Sequence, residues 1–169
     1  MIELIKESLW QQCGAALDTF HDSLKMCPDD LWEYQMWEPD EDGILFTRVW
    51  YICYHTLYWT DLFLDGSREN FVPPEKFKWN GPPEVAYTRD EILSYFEYCR
   101  NKLKKTIDTL TEEKAQQRCV FSWFECSYLE LFLYSMRHVQ EHTAQLGLIL
   151  GKETGSAPDW VPQVRDIPA

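Results

Sequence analysis

Apolar residues recur along most of this chain at the three-to-four-residue spacing of a helix with one buried face. Ile5, Leu9, Ala16, Leu17, Phe20 and Leu24 form a first stripe that reaches Cys27 before Pro28 interrupts it, and Asp29 to Trp32 suffice for one short further turn. The acidic segment Glu38-Pro-Asp-Glu-Asp-Gly43 is read as a loop. A second helix is predicted from about Leu45 to Leu64, with Val49, Ile52, His55, Trp59 and Leu62 along a core-facing side. The stretch from Asp65-Gly66 to Tyr87 holds four prolines and the aromatics Phe71, Phe77 and Trp79, and is too long for an ordinary connector. It is either a lid over a pocket or a packed structural crossover.

Thr88-Arg-Asp-Glu91 has capping-box spacing and opens a third helix with the core stripe Ile92, Phe96, Cys99, Leu103, Ile107 and Leu110. Ser122-Trp-Phe-Glu125 and Ser127-Tyr-Leu-Glu130 repeat that spacing, so either can start a fourth helix, whose end is expected between Gly151 and Gly155. The tail is non-helical by its prolines, and Trp160 is expected to fold back on the helices. No alternating strand pattern or internal repeat stands out. Four helices with a long crossover between the second and third predict an all-α, antiparallel four-helix bundle, and 169 residues suffice for one domain over 1–169.

Composition narrows the partners. Sixteen basic against 28 acidic residues leave a formal charge of -12, a field that repels phosphate backbones and anionic membranes. The segment Val49–Leu64 is interrupted by His55, Thr60 and Asp61 and is too short to span a bilayer. The amino terminus has no signal-peptide pattern. Six cysteines without CxxC spacing sit largely among apolar residues, as free thiols of a reduced, cytoplasmic protein do. Cysteine ligation of a metal is the lesser alternative, because Cys53 faces away from His55 on a helix.

The chemistry concentrates in three of the four histidines. His138-Val-Gln-Glu-His142 puts two imidazoles on one helix face, the face that carries Leu131, Tyr134, Leu146 and Ile149, and His55 lies on another stripe. Three neutral imidazoles can hold one divalent zinc, nickel or iron ion and leave positions open for water or substrate. The opposing reading makes each a core histidine satisfied by a tyrosine or carbonyl. His21 is assigned a structural or surface role. The run also reads H-x-x-E-H, but the zinc proteases of that motif take a third ligand from far downstream and only 27 residues follow His142. Glu141 is thus a general-base candidate only if it turns into the cavity. Gln145, one turn on, can orient a ligand or water, and Tyr51, Tyr58, Trp59 and Tyr134 can wall a substrate pocket or simply fill the core. Asp61 is assigned to a cap or salt bridge rather than to the metal.

The stretch Trp50-Tyr-Ile-Cys-Tyr-His55-Thr-Leu-Tyr-Trp59-Thr-Asp61, the stretch His138-x-x-x-His142-x-x-Gln145-Leu146 and the aromatic, proline-rich crossover together resemble the DinB/YfiT-like superfamily. The resemblance implies an up-down-down-up four-helix bundle, homodimers, and a nickel, zinc or iron site on His55, His138 and His142. Some relatives are S-transferases and isomerases that use low-molecular-weight thiols. The expectation is therefore a metal-dependent enzyme for a small-molecule substrate, with a thiol-dependent transferase first. A metal-water hydrolase with Glu141 as base and a non-catalytic, stress-related metal-binding protein are the rivals. No basic cluster adjoins the histidine motifs in sequence, although Arg48 and Arg137 lie near them.

Overall fold

The computed structural model describes residues 1–39, 43–69 and 71–165. Long helices dominate: α1 (Ile2–Met26), α2 (Val49–Asp65), α3 (Arg89–Asp108) and α5 (Tyr128–Thr154), with a five-residue α4 (Glu112–Gln116) and two short strands, β1 (Arg118–Val120) and β2 (Glu125–Ser127). Helix α1 lies against α3 and α5, and α2 lies against the same two. Phe20, Leu24, Leu57, Ile92, Phe96 and Cys99 are fully buried where these helices meet. Each such large apolar side chain contributes about 1.5–3 kcal/mol on leaving water. No helix among the described residues is long and apolar enough to cross a membrane.

Local signals account for most boundaries. The capping box of α3 forms as its residues dictate, with Thr88 Oγ1 accepting from the Glu91 amide and the Glu91 carboxylate accepting from the Thr88 amide. Of the two possible starts for the last long helix, the second is used: Ser127 Oγ accepts from the Glu130 amide at 3.1 Å. That helix stops at Gly155, where φ is +76°. Helix α2 starts four residues later than its periodicity suggests, because Ile44–Thr47 winds as a 3-10 turn and Arg48 is extended. Leu110 is buried as expected but lies beyond the end of α3.

Three expectations need correction. The ribbon of β1 and β2 was not foreseen, since three residues per strand are too few to show alternation; its register sets Cys119 opposite Cys126. Trp160 is 75% exposed, and the tail is held instead by Val161, which is buried, by the Val164 amide donating to the Gln11 carbonyl at 3.1 Å, and by the Arg165 amide donating to Asp18 at 2.6 Å. Finally, α2 has no single core stripe. Thirteen of its seventeen residues are buried, and His55, Tyr58 and Trp59 lie among the few on its more open side.

The segment after α2 packs as a crossover. Phe77 stacks on Tyr95 of α3 with ring centroids 4.1 Å apart, and the Tyr87 carbonyl accepts from the Trp32 indole at 2.7 Å. Beneath it a polar latch ties α2 to α3. Lys102 Nζ lies 2.6 Å from Asp61 Oδ1 and 2.9 Å from Asp65 Oδ2, while the Tyr95 hydroxyl donates to Asp61 Oδ2 at 2.9 Å. Asp61 is wholly buried, and burial pushes its carboxyl above the ordinary range against the opposing pull of Lys102 and Tyr95. The salt-bridge role read from sequence is the one it has. All six cysteines are free and buried.

Gly66 ends α2 at φ +73°, and a Cβ there would stand 2.9 Å from the Tyr128 ring, whose hydroxyl donates to the Leu64 carbonyl. Gly66→Ala combines left-handed strain with displacement of a buried ring, and an L side chain at such a position costs more than about 1 kcal/mol. The expected result is a clear fall in urea midpoint with an unchanged slope; a midpoint equal to the parent's would contradict this account of the α2 terminus.

Candidate metal centre

His55 projects from α2, and His138 and His142 from one face of α5 a helical turn apart. The three Nε2 atoms converge: His138 Nε2 lies 3.1 Å from His55 Nε2 and 3.1 Å from His142 Nε2. One ligand atom from each of the three falls within 4.8 Å of the others, a clustering that neither the cysteines nor His21 join. His21 stacks on Phe96 at 4.6 Å instead.

Two explanations of the convergence can be compared. A ring nitrogen carries either one proton or one lone pair. Hydrogen bonding thus explains one of the two 3.1 Å contacts of His138 well and leaves the other as a contact between like groups. Nitrogens each about 2.1 Å from a single ion, at tetrahedral or octahedral angles, stand about 3.0–3.4 Å apart, so an ion explains both. The donor set fits a divalent transition metal of the zinc, nickel or iron(II) type.

The surroundings prepare these nitrogens as donors. His142 Nδ1 lies 2.8 Å from Gln145 Oε1, which assigns the proton to Nδ1 and leaves the Nε2 lone pair facing the cluster. Burial, then repulsion from His142, lowers the His55 pKa to about 3. The same causes, with His55 added, lower His138 to about 2. Burial lowers His142 too, opposed by the Gln145 hydrogen bond and the Glu141 charge. All three are neutral near pH 7. His138 Nδ1 is buried without a hydrogen-bond partner among the described residues.

Rings enclose the cluster. Phe46, from the 3-10 turn before α2, meets His55 edge to face at 5.3 Å; Tyr51 and Trp59 flank it at 6.4 and 6.1 Å; and Phe63 faces His138 at 6.3 Å. Tyr134 stands one ring further out, 5.2 Å from Phe63. Tyr58 turns toward Phe71 and Trp79 of the crossover. Glu141 is exposed on the shoulder of α5. An apolar groove of about 440 Å³ lies on the opposite face of α5, lined by Ala16, Thr143, Gly147 and Val161, and is remote from the imidazoles.

Sequence reasoning missed Phe46, Phe63, Trp123 and Arg68. Trp123, at the tip of the β1–β2 ribbon, packs on Trp59 at 5.3 Å, and Arg68 lies over both indoles. The contacts of Phe63 with His138 and of Trp123 with Trp59 and Arg68 join residues far apart in sequence, and only the Trp-Phe pair after Ser122 hinted at an aromatic contribution.

Comparison with known proteins supplies the relationship. A crystal structure of a DinB-like protein from Bacillus subtilis superposes with a TM-score of 0.57 at 15% identity, covering 91% of this chain and 96% of that one. It shares the fold. No curated protein matches the chain. The family model described as DinB superfamily matches residues 11–146, a span that holds His55, His138 and His142, and the chain belongs to that superfamily.

Proposed function

We propose that the chain is a metal-dependent enzyme in which His55, His138 and His142 hold one divalent zinc, nickel or iron ion, and that its reaction joins a low-molecular-weight thiol to a small electrophilic substrate. The observation that carries this reading is the meeting of three neutral imidazoles, with His138 Nε2 3.1 Å from the Nε2 of both His55 and His142 and the His142 tautomer set by Gln145. Such an ion supplies Lewis acidity, lowering the pKa of a thiol at an open position so that a nucleophile exists near neutral pH. His55 and His138 contribute lone pairs from sites where burial keeps them unprotonated. Phe46, Tyr51, Trp59 and Phe63 exclude bulk water around them and wall the space a substrate would fill.

A hydrolase with Glu141 as base is the second reading. Its support is the influence of the Glu141 charge on His142, but the exposure of that carboxylate favours the transferase. A non-catalytic, stress-related bundle that binds metal or a partner protein without turnover is the third. The same proposal includes an up-down-down-up four-helix bundle forming one domain over 1–169. It also includes a homodimeric state, as the family resemblance implies, and a cytoplasmic location consistent with six free buried thiols. The charge of -12 speaks against nucleic acid and anionic membranes as partners.

Elemental analysis of untagged protein purified without added metal is expected to find about one transition-metal ion per chain. His142→Ala is expected to lose that ion and any thiol-transfer activity while circular dichroism still shows a helical, cooperatively melting protein, because an open site contributes less to folding than the apolar core. A variant that fails to fold, or keeps full activity without metal, contradicts the catalytic reading.

Gln145→Ala should weaken metal affinity by about 10- to 100-fold, the usual effect of removing a partner that orients a ligand. Competition with a chromogenic chelator measures it, and unaltered affinity would deny Gln145 that role.

Acid should destabilise the metal-free protein through the same histidines. Their folded pKa values lie below the unfolded value of about 6.5, so the unfolded chain binds more protons once pH drops under that value. The stabilisation is fully present above about pH 6.5 and declines toward the folded pKa, by up to about 1.4 kcal/mol per pH unit for each group. Urea midpoints measured between pH 7 and 5 should fall more steeply for the parent than for His138→Gln. Parallel slopes would mean that His138 is not held neutral.

A further inference from the structure

Two arginines flank the histidine motifs in sequence, and the folded chain uses neither at the cluster. Arg48 donates to the Glu33 carbonyl at 2.8 Å, and Arg137 is exposed on α5. The cation beside the site is Arg68, from the start of the crossover. Its Cζ lies 5.1 Å from the Trp59 ring and 5.3 Å from the Trp123 ring, in the corner formed by two indoles that meet at 87°. The Trp59 centroid is 6.1 Å from that of His55, so the guanidinium is at most about 11 Å from the imidazole.

Like Arg48 and Arg137, Arg68 has no carboxylate partner among the described residues, but unlike them it is held beside the histidine site. In a chain of net charge -12, Arg89, Arg100, Arg118 and Arg165 each pair with an aspartate or glutamate. Among the described residues Arg68 pairs with none, although it is exposed and acids outnumber bases. Indole faces hold a guanidinium by its plane and leave its N–H edge free, and that edge matches the two oxygens of a carboxylate. Arg68 also lines an open cleft of about 370 Å³ with Tyr58, Phe71, Lys78 and Trp79, which gives a bound molecule room beyond the charged end.

We propose that Arg68 binds the carboxylate of a small anionic thiol whose sulfur reaches the point faced by the three Nε2 atoms. This assignment rests on the metal reading and adds to it a charge requirement and a length: carboxylate and sulfur separated by several bonds. Arg68 acts as a specificity determinant, and the two tryptophans position it.

The test uses mercaptohexanoate and mercaptohexanol, thiols of one chain length that differ in terminal charge. Untagged full-length protein loaded with cobalt(II) is titrated with each while the sulfur-to-cobalt charge-transfer band is followed. The parent is expected to bind the carboxylate the more tightly. Arg68→Gln should weaken mercaptohexanoate about tenfold and leave mercaptohexanol within about twofold, as loss of a charge-assisted pair predicts. Arg68→Lys should recover part of the difference. A parent without preference for the carboxylate, an Arg68→Gln variant unchanged toward both thiols, or one weakened equally toward both would overturn the assignment while leaving the metal reading intact. Absence of cobalt bands in the parent would instead overturn the metal reading, and the role of Arg68 with it.

Discussion

Three imidazole nitrogens, one of them 3.1 Å from each of the other two and all flanked by aromatic rings, can coexist only if none is charged. A proton on any of them would face burial and its neighbours at once, and burial is the first cause of depression at all three. Much of the fold serves this constraint. His138 and His142 are set by one helical turn of α5, but His55 arrives from another helix, so the register between α2 and α5 decides whether the nitrogens meet. That register is held at one end by Tyr128, whose hydroxyl donates to the Leu64 carbonyl. On the far side of α2, Lys102 and Tyr95 hold Asp61. A slip of one residue along α2 would break both attachments before it moved His55 by 2 Å.

The interior divides its polar work by place. Buried charge between α2 and α3 is compensated by Lys102, shared between Asp61 and Asp65. Asp18, also fully buried, accepts from Arg100 and from the Arg165 amide, so the tail is fastened to α1 and α3 by one carboxylate. The interface of α2 and α5 holds neutral donors instead, and its aromatic walls come from three separate segments. Phe46 precedes α2, Trp59 and Phe63 belong to it, and Trp123 is carried by the ribbon. The short ribbon thereby reaches the most chemically distinctive part of the fold.

The long helices were legible because their signals are local. Thr88 and Glu91 cap each other across three residues, and Ser127 caps its helix in the same way. The pairing of His138 with His142 was legible for the same reason. The openness of α2 beside His55 was not. Its residues are apolar or aromatic nearly all round, so periodicity offered several candidate inner faces and no means to choose. Likewise nothing near Arg68 in sequence pairs it with Trp123, 55 positions away. Tyr58, three residues from His55 on the same helix, turns to the crossover and lines the cleft beside Arg68. Proximity along a helix sufficed to bring His138 and His142 together, whereas the aromatic surroundings are assembled by tertiary contacts.

The six free cysteines have a use outside the chemistry. They are spread over the fold: Cys13 within α1, Cys27 at its end close to Cys53 of α2, Cys99 in α3, and Cys119 and Cys126 paired on facing strands. Each is buried, and burial raises every thiol above its ordinary pKa, Cys13 to about 12. A thiol reagent in water therefore reaches a given sulfur only when its own neighbourhood opens. The order in which the six are labelled is a map of local unfolding written into the native chain, with α5, the helix that carries two of the three clustered histidines, left unlabelled.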